Sequence, residues 1–207
     1  MIRTVVKKVL PYDQTNDIYK TTMLYNLTKF MKQYIKPFYN ILLTDNQDAR
    51  CATHFSPLPS HITIVEMDID RYNKQKEKTK KYRNVTNLNG DFFQCALESN
   101  SQYNIIYADL NQTLRFTKDK LCDLVQMNIL KRLDKFILCV VSPKRMGKKG
   151  ITFNGELNKF MNKLQSIMDE YNYSFKSLLD ENDKHYGAPK LGRACMYQDI
   201  FLICKQD

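Results

Sequence analysis

The 207-residue sequence has no tryptophan and only six glycines, and none of those glycines precedes Gly90. That scarcity excludes a glycine-rich phosphate-binding loop in the first 89 residues, and neither a P-loop nor a GxSxG nucleophile elbow occurs anywhere. Long apolar runs are missing as well. A bilayer-spanning helix needs roughly 20 apolar residues, and the longest clear run here is Phe136–Val141. The opening MIRTVVKKVLPYD lacks an apolar core followed by small residues, so it does not read as a secretory leader. The six cysteines form no CxxC pair, and most sit in apolar surroundings, as buried free thiols do. Cys51-x-x-His54 has no second ligand pair, which argues against zinc. The expected location is the reducing cytoplasm, and the Asn-x-Ser/Thr matches at Asn26, Asn84, Asn111 and Asn172 read as chance.

Positive charge is abundant. The formal net charge is +10 and the sequence pI is near 9.2, a balance that favours a polyanionic partner, nucleic acid above all. The charge is clustered. Arg71–Arg83 holds Arg71, Lys74, Lys76, Lys78, Lys80, Lys81 and Arg83 against the single acid Glu77, and Lys144, Arg145, Lys148 and Lys149 form a second group. From these clusters the nucleic-acid contacts are expected at Arg71, Lys74, Lys78, Lys80, Lys81, Arg83, Arg145, Lys148 and Lys149. Tyr72, Tyr82 and Tyr186 are candidates for stacking on bases. The Lys- and Asn-heavy composition fits an AT-rich genome, such as that of a large virus or a protist.

Periodicity organises the chain. Within Thr15–Pro37, Leu24, Leu27, Met31 and Ile35 mark one face of an amphipathic helix, which Pro37 closes. Strands are expected at Phe38–Leu43, His61–Glu66, Val85–Leu88, Tyr103–Ala108 and Phe136–Val141, with Tyr173–Leu179 and Met196–Cys204 at the end. Between them lie helical patterns at 51–55, 71–83, 92–97, 121–133 and 157–171. This alternation predicts an α/β fold, a doubly wound and mostly parallel sheet with helices on both faces. No repeat or linker divides the chain, so one domain over 1–207 is expected, with 1–37 as a helical extension packed on it. In such sheets ligands bind beyond the carboxyl ends of the strands, where strand order reverses. The segments following the first four strands are TDNQDAR, then Glu66 with Asp68 and Asp70, then Gly90-Asp91-Phe92, then Asp109. Each acid alone is an ordinary turn or cap residue; four together predict a polar rim on one sheet edge.

In this order, FYNILLTDNQDARCATHF, ITIVEMDID, NVTNLNGDFF, YNIIYADLNQTL and FILCVVSPK resemble the successive motifs of the Rossmann-fold S-adenosylmethionine-dependent methyltransferases. The closing MYQDIFLIC resembles their antiparallel last strand, so the likeness covers about residues 20–205. It implies S-adenosylmethionine as cofactor, with Glu66 on the ribose hydroxyls, Met67 beside it, and Asp91 and Phe92 against the adenine. Thr44, Asp45, Asn46 and Asp48 would face the methionine part, with Asp109 closing the site. The first loop departs from the family, whose glycines let the backbone pass close to the cofactor; Asn and Asp tolerate positive φ and can keep the turn.

A narrower resemblance is to ribose 2′-O-methyltransferases with a Lys-Asp-Lys-Glu tetrad. It implies a Lys of the first helix (Lys32 or Lys36), Asp109, Lys144, and Asp199 in place of the Glu. The reaction so implied is methyl transfer to an RNA ribose oxygen, with a lysine of lowered pKa, Lys144, accepting the proton. The glycine-free loop equally suits a relative without catalysis that binds nucleic acid or stabilises a protein partner in a larger complex.

Overall fold

The structure is a computed structural model that describes residues 12–45, 48–110, 112–144, 152–186 and 196–207. Helix α1 (Tyr12–Tyr34) precedes strand β1 (Tyr39–Thr44), and α2 (Arg50–Phe55), β2 (Ser60–Glu66), α3 (Ile69–Thr79) and β3 (Val85–Asn89) follow. The chain continues through α4 (Phe92–Glu98), β4 (Ile105–Asp109), α5 (Leu114–Leu130), β5 (Lys135–Pro143) and α6 (Phe153–Tyr171). It ends in β6 (Tyr173–Ser177), the short β7 (His185–Tyr186) and β8 (Met196–Lys205). The strands lie in the order β3-β2-β1-β4-β5-β8-β6, with β7 paired to β8. β1 to β5 are parallel, and β8 runs antiparallel to β5, β6 and β7. This is the doubly wound, mostly parallel sheet that the sequence predicts.

Each helix obeys a local cause. In α1 and the residue that follows it, Met23, Leu24, Leu27, Met31 and Ile35 are buried against Ile41, Leu43, Tyr107 and Cys139 of the sheet. Each such side chain contributes about 1.5–3 kcal/mol of apolar burial. Asp68 caps α3 by accepting from the Arg71 amide at 2.9 Å, and Thr152 caps α6 by accepting from the Gly155 amide at 3.1 Å. α5 starts at Leu114, seven residues before the expected start, because buried Leu114 and Thr117 extend the stripe toward its N-terminus. Helices α1 and α2 share one apolar cluster with the first sheet face, while α4, α5 and α6 share another with the opposite face. β5 carries no polar alternation because both its faces are covered.

The chain starts mid-sheet, moves out through β2 to β3, and then crosses back to lay β4 beside β1. That reversal puts the carboxyl ends of β1 and β4 side by side. Among the described residues, no helix is long and apolar enough to cross a membrane.

Candidate functional site

At the reversal point the side chain of Thr44, last in β1, bonds the backbone of Asp109, last in β4. The Thr44 hydroxyl donates to the Asp109 carbonyl at 3.1 Å, and the Asp109 amide donates to the same hydroxyl oxygen at 2.9 Å. With its backbone fixed, Asp109 accepts an ion pair from Lys20 of α1: Nζ lies 2.9 Å from Oδ2, with side-chain exposures of 30% and 17%. Burial opposes the charge on Lys20, but Asp109, helped by Asp45, outweighs it and holds the ammonium above its ordinary pKa.

Sequence reasoning missed Lys20 and expected Lys32 or Lys36. Both of those are exposed, and Lys36 precedes β1 at the opposite edge of the sheet. A six-residue strand at about 3.3 Å per residue separates it from the Asp109 level. A signal for Lys20 did exist. It stands three, four and seven residues before Met23, Leu24 and Leu27, so it extends the buried stripe of α1 by one turn.

The loop after β1 closes without glycine. Ala49 takes the left-handed conformation, φ 50°, that begins α2, and the Asp45 carboxylate accepts from the Ala52 amide at 3.0 Å. The Gln75 side chain donates to the Asp45 carbonyl at 2.7 Å, and Lys78 pairs with Asp48 at 2.6 Å. Burial first, then the Asp45 and Asp109 charges, push the neighbouring Cys51 thiol well up, so it stays protonated.

At the end of β2, Glu66 is half-buried, and its Oε1 accepts from the Asp68 amide at 2.9 Å. Asn89 and Gly90 of the next strand end hold the Glu66 carbonyl, leaving the Met67 side chain 71% exposed. Asp91 Oδ1 caps α4 by accepting from the Phe93 and Gln94 amides at 3.0 Å each. Phe92, expected against an adenine, faces the core. It is buried, packed edge-on to Phe93 at 5.3 Å in the α4–α5 cluster, because it is the first core residue of a helix that must seal the sheet.

The expected tetrad does not assemble. Lys144 lies against the ring of Phe153 at 5.4 Å, and that ring packs on Tyr197. Asp199 is buried in β8 opposite Val140, where it accepts from Ser177 Oγ (2.7 Å), Tyr197 Oη (3.1 Å) and the Ile200 amide (2.8 Å). Lys184 Nζ stands 3.4 Å away. Burial raises the Asp199 pKa despite these donors. Even register on β5 and β8 turns Asp199 toward the α6 side, the face opposite Lys20.

Of the basic residues, Arg71, Lys74, Lys78, Lys80, Lys81 and Arg83 are all exposed along α3 and the turn after it. Lys78 pairs with Asp48 and Lys80 with Glu77. Lys76 lies over Tyr72 and Lys81 over Tyr82, at 5.7 and 5.0 Å from the ring centres. Asn46, Arg145, Lys148, Lys149 and the Tyr186 side chain lie outside the described residues.

No family model and no curated protein matches the sequence. Solved structures match the fold. The Trm5b structure from Pyrococcus abyssi superposes with a TM-score of 0.60 at 10% identity, over 90% of this chain and 49% of that one. The magnesium protoporphyrin IX methyltransferase of Synechocystis PCC 6803, solved with bound SAM, gives 0.59 at 7% identity over 96% and 86%. The fibrillarin pre-rRNA processing protein of Methanococcus jannaschii gives 0.52 at 14% over 80% and 67%. The chain thus spans about half the length of Trm5b and most of the other two. The fold is that of the methyltransferase-like α/β proteins.

Proposed function

We propose that this chain is an S-adenosylmethionine-dependent methyltransferase acting on nucleic acid, with an RNA ribose hydroxyl as the acceptor. The observation that carries the reading is the Lys20–Asp109 pair, set at the strand-order reversal beside Thr44 and Asp45. The residues present suit the cofactor. Glu66 has an oxygen beyond the one bonded to Asp68 for a ribose hydroxyl, and exposed Met67 offers an apolar surface for a base. The amino-acid end of the cofactor carries an ammonium, and the Asp45 carboxylate presents the opposite charge.

The cofactor would supply an electrophilic methyl group. What the chain adds is positioning and charge. The Lys20 ammonium, held protonated, is no base; it orients Asp109 and steadies negative charge on an acceptor oxygen. Asp109 is the group placed to draw the proton from a bound hydroxyl. The cationic face of α3 suits a phosphate backbone.

A second reading, a non-catalytic relative that binds nucleic acid or supports a protein partner, is favoured by one observation: Thr44, Asp45 and Asp48 of the first loop are all engaged within the chain. Two measurements separate the readings. Calorimetry with S-adenosylhomocysteine, on wild type and Glu66→Ala, is expected to show binding that the substitution weakens. Transfer of a labelled methyl group to RNA, with and without a ribose 2′-O-methyl block, is expected to be lost on the blocked RNA. Salt-dependent RNA binding with no cofactor affinity at millimolar concentration would leave only the second reading.

A further inference from the structure

Among the described residues, three large apolar side chains stand exposed beyond the carboxyl ends of the strands: Met67 and Ile69 after β2, and Phe116 in the first turn of α5. Of these only Phe116 is aromatic, and it is 64% exposed. The helix gives it no internal reason to be there. Leu114, Thr117 and Leu121 supply the buried face of α5, and Phe116 projects away from them. Its backbone is fixed, since its amide donates to the carbonyl of the cap residue Thr113 at 3.0 Å. The Arg115 guanidinium lies 5.5 Å from the ring centre, a contact that covers part of the ring with a cation. One turn on, at the same helical face, Lys120 lies over Phe93 and stands 4.0 Å from Asp91. Phe116 therefore stands one turn before the Lys120 that faces Asp91 at the N-terminus of α4, among cations.

We propose that Phe116, with Arg115 against its ring, is a stacking platform for a nucleobase. An exposed, rotationally restricted aromatic stacks on any base face, and a neighbouring guanidinium adds cation–π and phosphate contact. Phe92, the aromatic expected for this task, is buried, whereas Phe116 is an exposed ring among the described residues at this edge. The base has two sources, the adenine of the cofactor or a base of the nucleic acid. The inference rests on the proposed nucleotide-binding function, but not on methyl transfer.

The test uses the full chain with Phe116→Ala, Phe116→Trp and wild type, and two probes: S-adenosylhomocysteine by calorimetry and a fluorescein-labelled single-stranded oligouridylate by anisotropy. Because Phe116 is exposed, all three proteins are expected to unfold at closely similar temperatures. Loss of about tenfold in affinity for at least one probe on Phe116→Ala, restored by Phe116→Trp, is the expected result. Loss confined to S-adenosylhomocysteine assigns the base to the cofactor, and loss confined to the oligonucleotide assigns it to the nucleic acid. Unchanged affinity of Phe116→Ala for every probe that wild type binds overturns the platform and leaves the proposed function standing. Wild type binding neither probe overturns both.

Discussion

Thr44 and Asp109, 65 residues apart in sequence, are joined by two hydrogen bonds through one hydroxyl. The relationship is local in space only because β4 returns to the flank of β1. It fixes the backbone from which the Asp109 carboxylate meets Lys20, so strand order, backbone position and ion pair form one chain of cause.

Replacing that hydroxyl by a methyl tests the chain at its first link. Thr44→Val keeps the shape and deletes both bonds, leaving the partly buried Asp109 amide without its acceptor. A loss of about 1–3 kcal/mol in urea unfolding is expected, together with a clear fall in methyl transfer. A variant as stable and active as wild type would show that the pairing is incidental.

Lys20→Met preserves the apolar stem and removes the charge. Under the proposed function, transfer to RNA is expected to fall about 100-fold or more, while Lys36→Met, at the other sheet edge, leaves the rate within about twofold. Circular dichroism checks that both variants remain folded. Because the folded pKa of Lys20 is raised, the stability of its pair is fully present below the unfolded value of about 10.4 and is lost as pH rises through the folded pKa. Near neutrality the pair is therefore indifferent to pH.

Asp199 makes the opposite kind of prediction. Its folded pKa is raised by burial, so the folded state takes up a proton more readily than the unfolded chain. Lowering pH from the folded pKa toward the unfolded value of about 3.9 then favours folding through this group. Asp199→Asn, which still accepts from Ser177 or Tyr197, is expected to remove that gain. The difference between the wild-type and variant stability curves should widen in wild type's favour as the pH drops through this interval. A difference independent of pH would contradict the burial argument.

Phe38 precedes β1 with φ 78° and its side chain 84% exposed, a left-handed conformation that is strained for a bulky residue. Phe38→Gly relieves the strain at the cost of a more flexible unfolded chain, and the net expectation is a gain of about 1 kcal/mol. Thermal and urea unfolding measure it. Destabilisation instead would mean that the ring makes a contact of value in solution.

Much of this molecule could be read in its residues. The strands 61–66 and 136–141 and the stripe Leu24, Leu27, Met31, Ile35 were legible because burial on a regular element repeats at the period of that element. The acids at the strand ends were legible as a set because parallel strands bring their carboxyl ends to one edge. The placements that differ from expectation rest on proximity that no period encodes. Lys36 is close to β1 in sequence but sits at its wrong end, while Lys20 reaches Asp109 only because α1 runs back along the sheet. Phe92 follows the capping Asp91, and whether such a residue faces a ligand or the core depends on how its helix docks.

The sequence by itself determined the alternation of strand and helix, the basic surface and the acid-bearing turns, because each follows from short-range periodicity and residue chemistry. The tertiary structure alone decided that β4 lies beside β1, that Lys20 faces Asp109, and that Lys144 and Asp199 stand apart from them. Those contacts join residues dozens of positions apart, and only the packing of helices on both faces of one twisted sheet selects which of them meet.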